Sequence, residues 1–190
     1  MVEMFVYRVA MDMEQGTGVV LLTDEPVQRL LPIYIRVFEA QAIAMELQGE
    51  TPPRPYTHDL LAAVVRGVGW KLDRITVTEV RESTFYAVLT LSREGEVVEI
   101  DARPSDSLAL ALRLDAPVYV EDEVLAKAEI RPDMVTPADD VETFQQLMSR
   151  VQIVEHPPGE EPPAPPQPEI VEDQPEAPAE PDQPPQENNE

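Results

Sequence analysis

Two spacings of apolar residues divide the chain. "VEMFVYRV" (residues 2–9) is rich in β-branched and aromatic residues, and "VVLLTD" follows a turn marked by Gly16 and Gly18, so both predict strands. "VQRLLPIYIRVF" is a third extended piece, in which Pro32 cannot donate to a ladder and predicts an edge or a bulge. From Glu39 to Gln48, "EAQAIAMELQ" has the composition of a helix, with Gly49 as its stop. After the stiff loop "ETPPRPY", Thr57 is the predicted N-cap of "HDLLAAVVRGV", where Leu60, Leu61, Val64, Val65 and Val68 form an apolar stripe at helical spacing. "KLDRITVTEV" and "TFYAVLTLSREGEVVEIDA" predict strands with turns at Arg81–Ser83 and Glu94–Gly95. "SLALALRL" is apolar nearly all round, which predicts a helix buried between layers, and it leads to the short strand "PVYV". Helices over about 122–128 and 139–150 close the ordered part.

One internal echo bears on architecture. Shifted by 65 positions, Ile35 matches Ile100, Ile43 matches Leu108, Ala44 matches Ala109, Met45 matches Leu110 and Leu47 matches Leu112. Both copies read strand, polar junction, apolar helix, the pattern of a duplicated strand–helix unit. The expected fold is a compact α+β domain with a mixed sheet, long enough to bury a substantial core.

Composition changes the picture only at the C-terminus. Residues 157–190 hold 12 prolines, 10 acidic residues and no Lys or Arg. Such a segment buries too little apolar surface to offset its ordering entropy and is expected to be disordered. The expected organisation is a domain over 1–135, a helical extension over 136–156, and an acidic Pro-rich tail over 157–190. Subtracting the tail's ten negative charges from the formal −23 leaves residues 1–156 at −13. An acidic domain argues against broad duplex binding, which needs a basic face to displace counterions. No cysteine is present, which excludes disulfides and thiolate metal sites. The N-terminus lacks a signal-peptide pattern and no apolar run is long enough to span a membrane, so a cytoplasmic location without membrane partners is expected.

Candidate chemistry gathers in "EIDARPSDS", residues 99–107. If Glu99–Arg103 is extended, Asp101 and Arg103 share one face, because strand side chains alternate. Pro104 ends the strand, Ser105 is a natural N-cap, and Asp106 sits in the first turn, where the helix dipole favours negative charge. In one reading this knot is only a capped helix start with an arginine bridging two aspartates. In the other, Asp101 and Asp106 hold Mg²⁺ or Mn²⁺ and Arg103 grips a phosphate. His58 and Asp59 stand at another helix start, where capping is the favoured role and a ligand or general base the sharper one. Glu39 holds a similar place at the first helix entry. Trp70, Phe85 and Tyr86 are assigned to the core, since no basic residues interleave with them.

"LPIYIRVFEAQAIAMELQG", "PPRPYTHDLL", "TFYAVL" and "EIDARPSDSLALALRLDAPVYV" together resemble the bifunctional nuclease domain family, over roughly residues 2–132 and in the expected order. The resemblance implies DNase and RNase activity on one small domain. Its motif positions here are Glu39, His58, Asp59, Asp101, Arg103, Pro104, Ser105 and Asp106, which strengthens the metal–phosphate reading of the knot. The resulting expectation is a metal-assisted phosphodiesterase on DNA and RNA, with a homo-oligomer left open. Asp101 and Asp106 would hold Mg or Mn, Arg103 and Ser105 would bind phosphate, and His58 or Glu39 would orient water. The alternatives are a non-catalytic protein-interaction module and a phosphoesterase on a smaller substrate.

Overall fold

The computed structural model describes residues 1–25 and 27–129 and the backbone of residues 152–155. Two antiparallel meanders build the sheet. The first is β1 (Val2–Asp12), β2 (Thr17–Thr23) and β3 (Leu30–Arg36), which runs directly into α1 (Val37–Leu47). Helix α2 (Thr57–Gly67) leads to the second, β4 (Lys71–Arg81), β5 (Thr84–Arg93) and β6 (Glu96–Ala102), which runs into α3 (Pro104–Leu114). Then follow β7 (Val118–Val120), α4 (Asp122–Ala128) and β8 (Gln152–Glu155). The turns at Glu82–Ser83 and Glu94–Gly95 have positive φ at both central residues, which matches the twist of the flanking strands.

The strand order is β3-β2-β1-β7-β4-β5-β6. β7 joins the meanders, antiparallel to β1 at Val2–Met4 and parallel to β4 at Ile75–Val77. The sheet is therefore mixed and the fold α+β, as expected. β8 pairs with β1 beside Arg8–Met11, a strand with no counterpart among the predicted elements. The helix expected over 139–150 and the tail from residue 157 lie outside the described residues.

Both halves end in an edge strand followed at once by a helix. The N-caps Arg36 and Arg103 correspond, at a spacing of 67 (103 − 36) rather than 65. At that spacing the buried residues of α1, Val37, Ala40, Ile43 and Ala44, fall on Pro104, Ser107, Leu110 and Ala111, all buried in α3. A helix that is apolar almost all round offers letter matches at several shifts, and only the capping position fixes the phase.

Helices α1 and α3 pack against each other, α1 over β1 to β3 and α3 over β4 and β5. Between helices and sheet lie Leu22, Leu31, Ile33, Ile43, Ile75, Leu108 and Leu110, fully buried. The close approach of α1 depends on Gly18, because a Cβ there would stand 2.6 Å from the Ala40 Cβ and 3.2 Å from the Ala10 carbonyl oxygen.

The apolar stripe of α2 faces mostly outward. Of its five residues only Val65 is buried, while Leu60, Leu61, Val64 and Val68 are exposed. The buried residues of α2 are His58, Ala62 and Val65, on the helix that packs beside α3. Among the described residues no helix is long and apolar enough to cross a membrane.

Gly18→Ala is expected to destabilise the domain by about 1–3 kcal/mol, the usual range for overpacking. A urea titration checks this, and Ala40→Gly in the same chain should recover part of the loss.

Candidate functional site

Three helices begin at one cleft of about 460 Å³. Each contributes a polar side chain from its first turn: Glu39 from α1, His58 from α2 and Asp106 from α3. Helix N-termini carry unsatisfied N–H groups and the positive end of the dipole, so their meeting point favours negative charge. The local sequence explains each start. Pro104 occupies the first position of α3, where its fixed φ suits the helix and its missing N–H removes no bond, so Arg103 and not Ser105 is the N-cap. In α2 the N-cap is Tyr56 and not Thr57, because the Asp59 carboxylate reaches back to accept the Tyr56 N–H at 2.8 Å.

One guanidinium ties the cleft together. Arg103 donates from Nε to Asp106 Oδ2 at 2.7 Å and from Nη2 to Oδ1 at 3.0 Å, a bidentate fork. Its Nη1 lies 3.0 Å from Glu39 Oε1. His58 Nε2 lies 3.1 Å from Asp106 Oδ1. Burial pushes the Asp106 carboxyl up, but the hydrogen bonds from Arg103 and His58 outweigh it and hold the group below the ordinary aspartate value. The same fork raises the pKa of Arg103. An ionised carboxylate only accepts, so the hydrogen between Asp106 and His58 sits on Nε2, leaving the lone pair of a neutral imidazole on Nδ1.

A second guanidinium lies deeper. Arg113, 7% exposed, reaches Asp59 Oδ1 of α2 and donates to the Ala42 carbonyl of α1 at 3.2 Å and the Ala109 carbonyl of α3 at 2.9 Å. Glu46 of α1 lies 3.6 Å from it, and burial pushes that carboxyl up despite the neighbouring charge. Sequence reasoning passed over Arg113, although a lone arginine in "SLALALRL" signals that a buried partner must exist.

The structure therefore brings together Glu39, His58, Arg103 and Asp106, and gives Asp59 the capping role. It does not bring Asp101 or Ser105 to them. β6 stops at Ala102, and Asp101 pairs across the ladder with Val88, flanked by Ile100 and Ala102 opposite the buried Leu89 and Ala87. Strand alternation turns Asp101 to the face away from those residues, where it is exposed. The expected Asp101–Asp106 pair is absent, and Arg103 bridges Asp106 to Glu39 instead. Ser105 is buried and lines no part of the cleft. Two aromatic residues at the cleft, Phe38 and Tyr56, had no place among the predicted site residues. Trp70 and Phe85 pack against the core as expected, whereas Tyr86, also expected there, is exposed on the surface beneath Arg81.

Among the described residues no three His, Asp or Glu side chains form a metal-holding group. The two carboxylates that could share a divalent ion are Glu39 and Asp106, and one guanidinium now joins them. Mg²⁺ commonly uses one or two carboxylates plus substrate phosphates, so this donor pair fits such an ion once Arg103 turns to the phosphate.

The two arginines should respond differently to removal. Arg113→Met leaves Asp59 and Glu46 without their buried cation and is expected to cost about 3–5 kcal/mol in a urea titration. Arg103→Met, at a side chain 64% exposed, should cost about 1 kcal/mol or less. Because the native pKa of Asp106 is depressed, its stabilisation is complete above the ordinary value near 3.8 and is lost as pH falls through the lower native value. The melting-temperature gap between wild type and Asp106→Asn should thus be constant above about pH 5 and close in acid.

Comparison with known proteins gives the family. Residues 19–133 match the family described as Bifunctional nuclease domain. An uncharacterized protein of Mycobacterium tuberculosis is 39% identical over 157 residues, covering 78% of this chain and 94% of its own. Bifunctional nuclease 1 of Oryza sativa subsp. japonica is 22% identical over 68% of this chain and 40% of its own length. Bifunctional nuclease 1 of Arabidopsis thaliana is 27% identical over 59% of this chain and 32% of its own. The matched region contains α1, α2 and α3 and every residue that converges at their N-termini, and on that extent the chain belongs to the bifunctional nuclease domain family.

Proposed function

We propose that the cleft binds a nucleic-acid phosphate and hydrolyses the phosphodiester bond. The observation that carries this reading is the His58–Asp106–Arg103–Glu39 constellation at three converging helix starts, in a domain of this family. Arg103 is exposed enough to exchange a carboxylate for a phosphate, and its planar fork suits two phosphate oxygens. Asp106 orients His58, which acts as general base toward the attacking water. The P–O bond to the leaving oxygen breaks as the new P–O bond forms, and the proton taken up by His58 passes to that oxygen.

Mg or Mn, where it takes part, would be held by Glu39 and Asp106 and would supply charge stabilisation to the phosphoryl oxygens. The work of this chain's own residues is to grip the phosphate with Arg103 and to move a proton through His58. Asp101, on the far face of the edge strand, has no part in that step.

His58→Gln is expected to lower cleavage of single-stranded DNA and RNA about 10²- to 10⁴-fold, the usual contribution of a positioned acid–base group. Arg103→Lys should weaken substrate binding, since lysine keeps the charge and loses the fork. Asp101→Asn should leave cleavage unchanged. Assays with and without EDTA, on variants shown to be folded, check all three. Undiminished cleavage by folded His58→Gln would sink the proposal.

A further inference from the structure

We infer that Phe38 and Tyr56 form a stacking site for unpaired bases, so that single-stranded nucleic acid is the substrate class of this cleft. The inference rests on the phosphodiesterase reading, because it assigns the neighbours of the phosphate held there.

Phe38 is the second residue of α1, next to Glu39, and its ring is 76% exposed. Tyr56 is the N-cap of α2 and 54% exposed. Single exposed aromatics are common on protein surfaces and need no explanation. These two line one cleft, from different helices, together with Arg103. Tyr56 is held by its own N–H bond to Asp59, whose other oxygen meets the buried Arg113, so this wall is anchored. The remaining lining includes Ala42 and Met45, an apolar surface suited to the flat face of a base. A cleft of about 460 Å³ lies within the range of small-molecule sites and has room for a nucleotide or two.

Charge decides between strand types. Residues 1–156 carry a formal −13, which argues against a broad basic face along which a duplex could lie. Affinity must come from a few local contacts. Stacking is independent of sequence, because every base has a π face, and it requires bases that are not already paired. Arg103, on the same cleft, supplies the phosphate contact. The inference also predicts weak salt dependence. Neutralising one or two phosphates of a single strand gives a slope of about −0.7 to −1.4 in log K against log salt, far shallower than a phosphate-tracking protein shows.

The test measures binding, separately from cleavage, with the full chain in EDTA. The probes are a fluorescein-labelled ten-nucleotide single strand, an abasic strand of equal phosphate number and the matching duplex. The expected result is single-strand binding at least about tenfold tighter than to either control, with the shallow salt slope. Phe38→Ala and Phe38→Leu should each lose on the order of tenfold, whereas Phe38→Trp should retain affinity and show quenched indole emission on binding. Tyr56→Ala should lose a similar factor and Tyr56→Phe little. Thermal melts confirm folding, which Phe38 variants should preserve because the ring packs on so little. Equal affinity for base-bearing and abasic strands, full affinity in folded Phe38→Leu, or no nucleic-acid binding at all would each overturn the inference. Base-dependent binding without cleavage under any metal would support stacking and defeat hydrolysis. Cleavage with equal binding of abasic strand would do the reverse.

Discussion

Arg113 carries a charge with almost no access to bulk water, and the groups it recruits are spread over three helices. A buried guanidinium left with unmet donors is far less stable than one fully engaged, so the helices have one arrangement in which the arginine is satisfied. That arrangement sets α1, α2 and α3 with their first turns around one cleft. Asp59 is the link between the two levels of the site. One of its oxygens meets Arg113 below and the other caps the start of α2, next to His58. Packing beneath the cleft and orientation within it are thus a single problem with one solution.

The two meanders explain why the cleft contains paired carboxylates. Each half ends in an edge strand that turns into a helix, and each helix places an acidic residue at its third position, Glu39 in one and Asp106 in the other. The helix dipole alone accounts for both. What distinguishes the halves is the arginine at the N-cap. Arg36 is exposed, whereas Arg103 turns across the cleft and engages the carboxylates of both halves. The bridge compensates two like charges that close packing of α1 on α3 would otherwise bring together uncompensated. It also keeps the guanidinium fork at an exposed rim.

Global and local electrostatics point in opposite directions here. The chain is strongly acidic, yet its cleft collects two guanidinium groups and three helix N-termini. Within a Debye length of the surface the net charge repels a polyanion, while inside the cleft the two guanidinium groups and the helix N-termini offset the carboxylates beside them. Such a surface disfavours long phosphate tracks and permits a short, specific contact.

Much of this was legible in the residues themselves. The alternating runs marked the strands of both meanders, Arg81–Ser83 and Glu94–Gly95 marked their turns, and Pro32 marked an edge or a bulge in what is the edge strand β3. The "DARPSD" knot and His58 were singled out because charge at a helix start is visible in sequence. Other features depended on contacts between distant segments. Alternation put Asp101 on one face of β6, but only the ladder shows that this face points away from the helices, and so from Asp106. The apolar stripe of α2 could be read correctly as a stripe while its direction stayed open, since periodicity gives a face and only packing decides what lies opposite. Glu39, Arg103 and Asp106 become neighbours because α1 and α3 meet, an event 64 to 67 residues apart along the chain. Local sequence determined where each helix begins and which charge stands there. Tertiary structure decided that the three beginnings share one place, because only there can the buried arginine find all its partners.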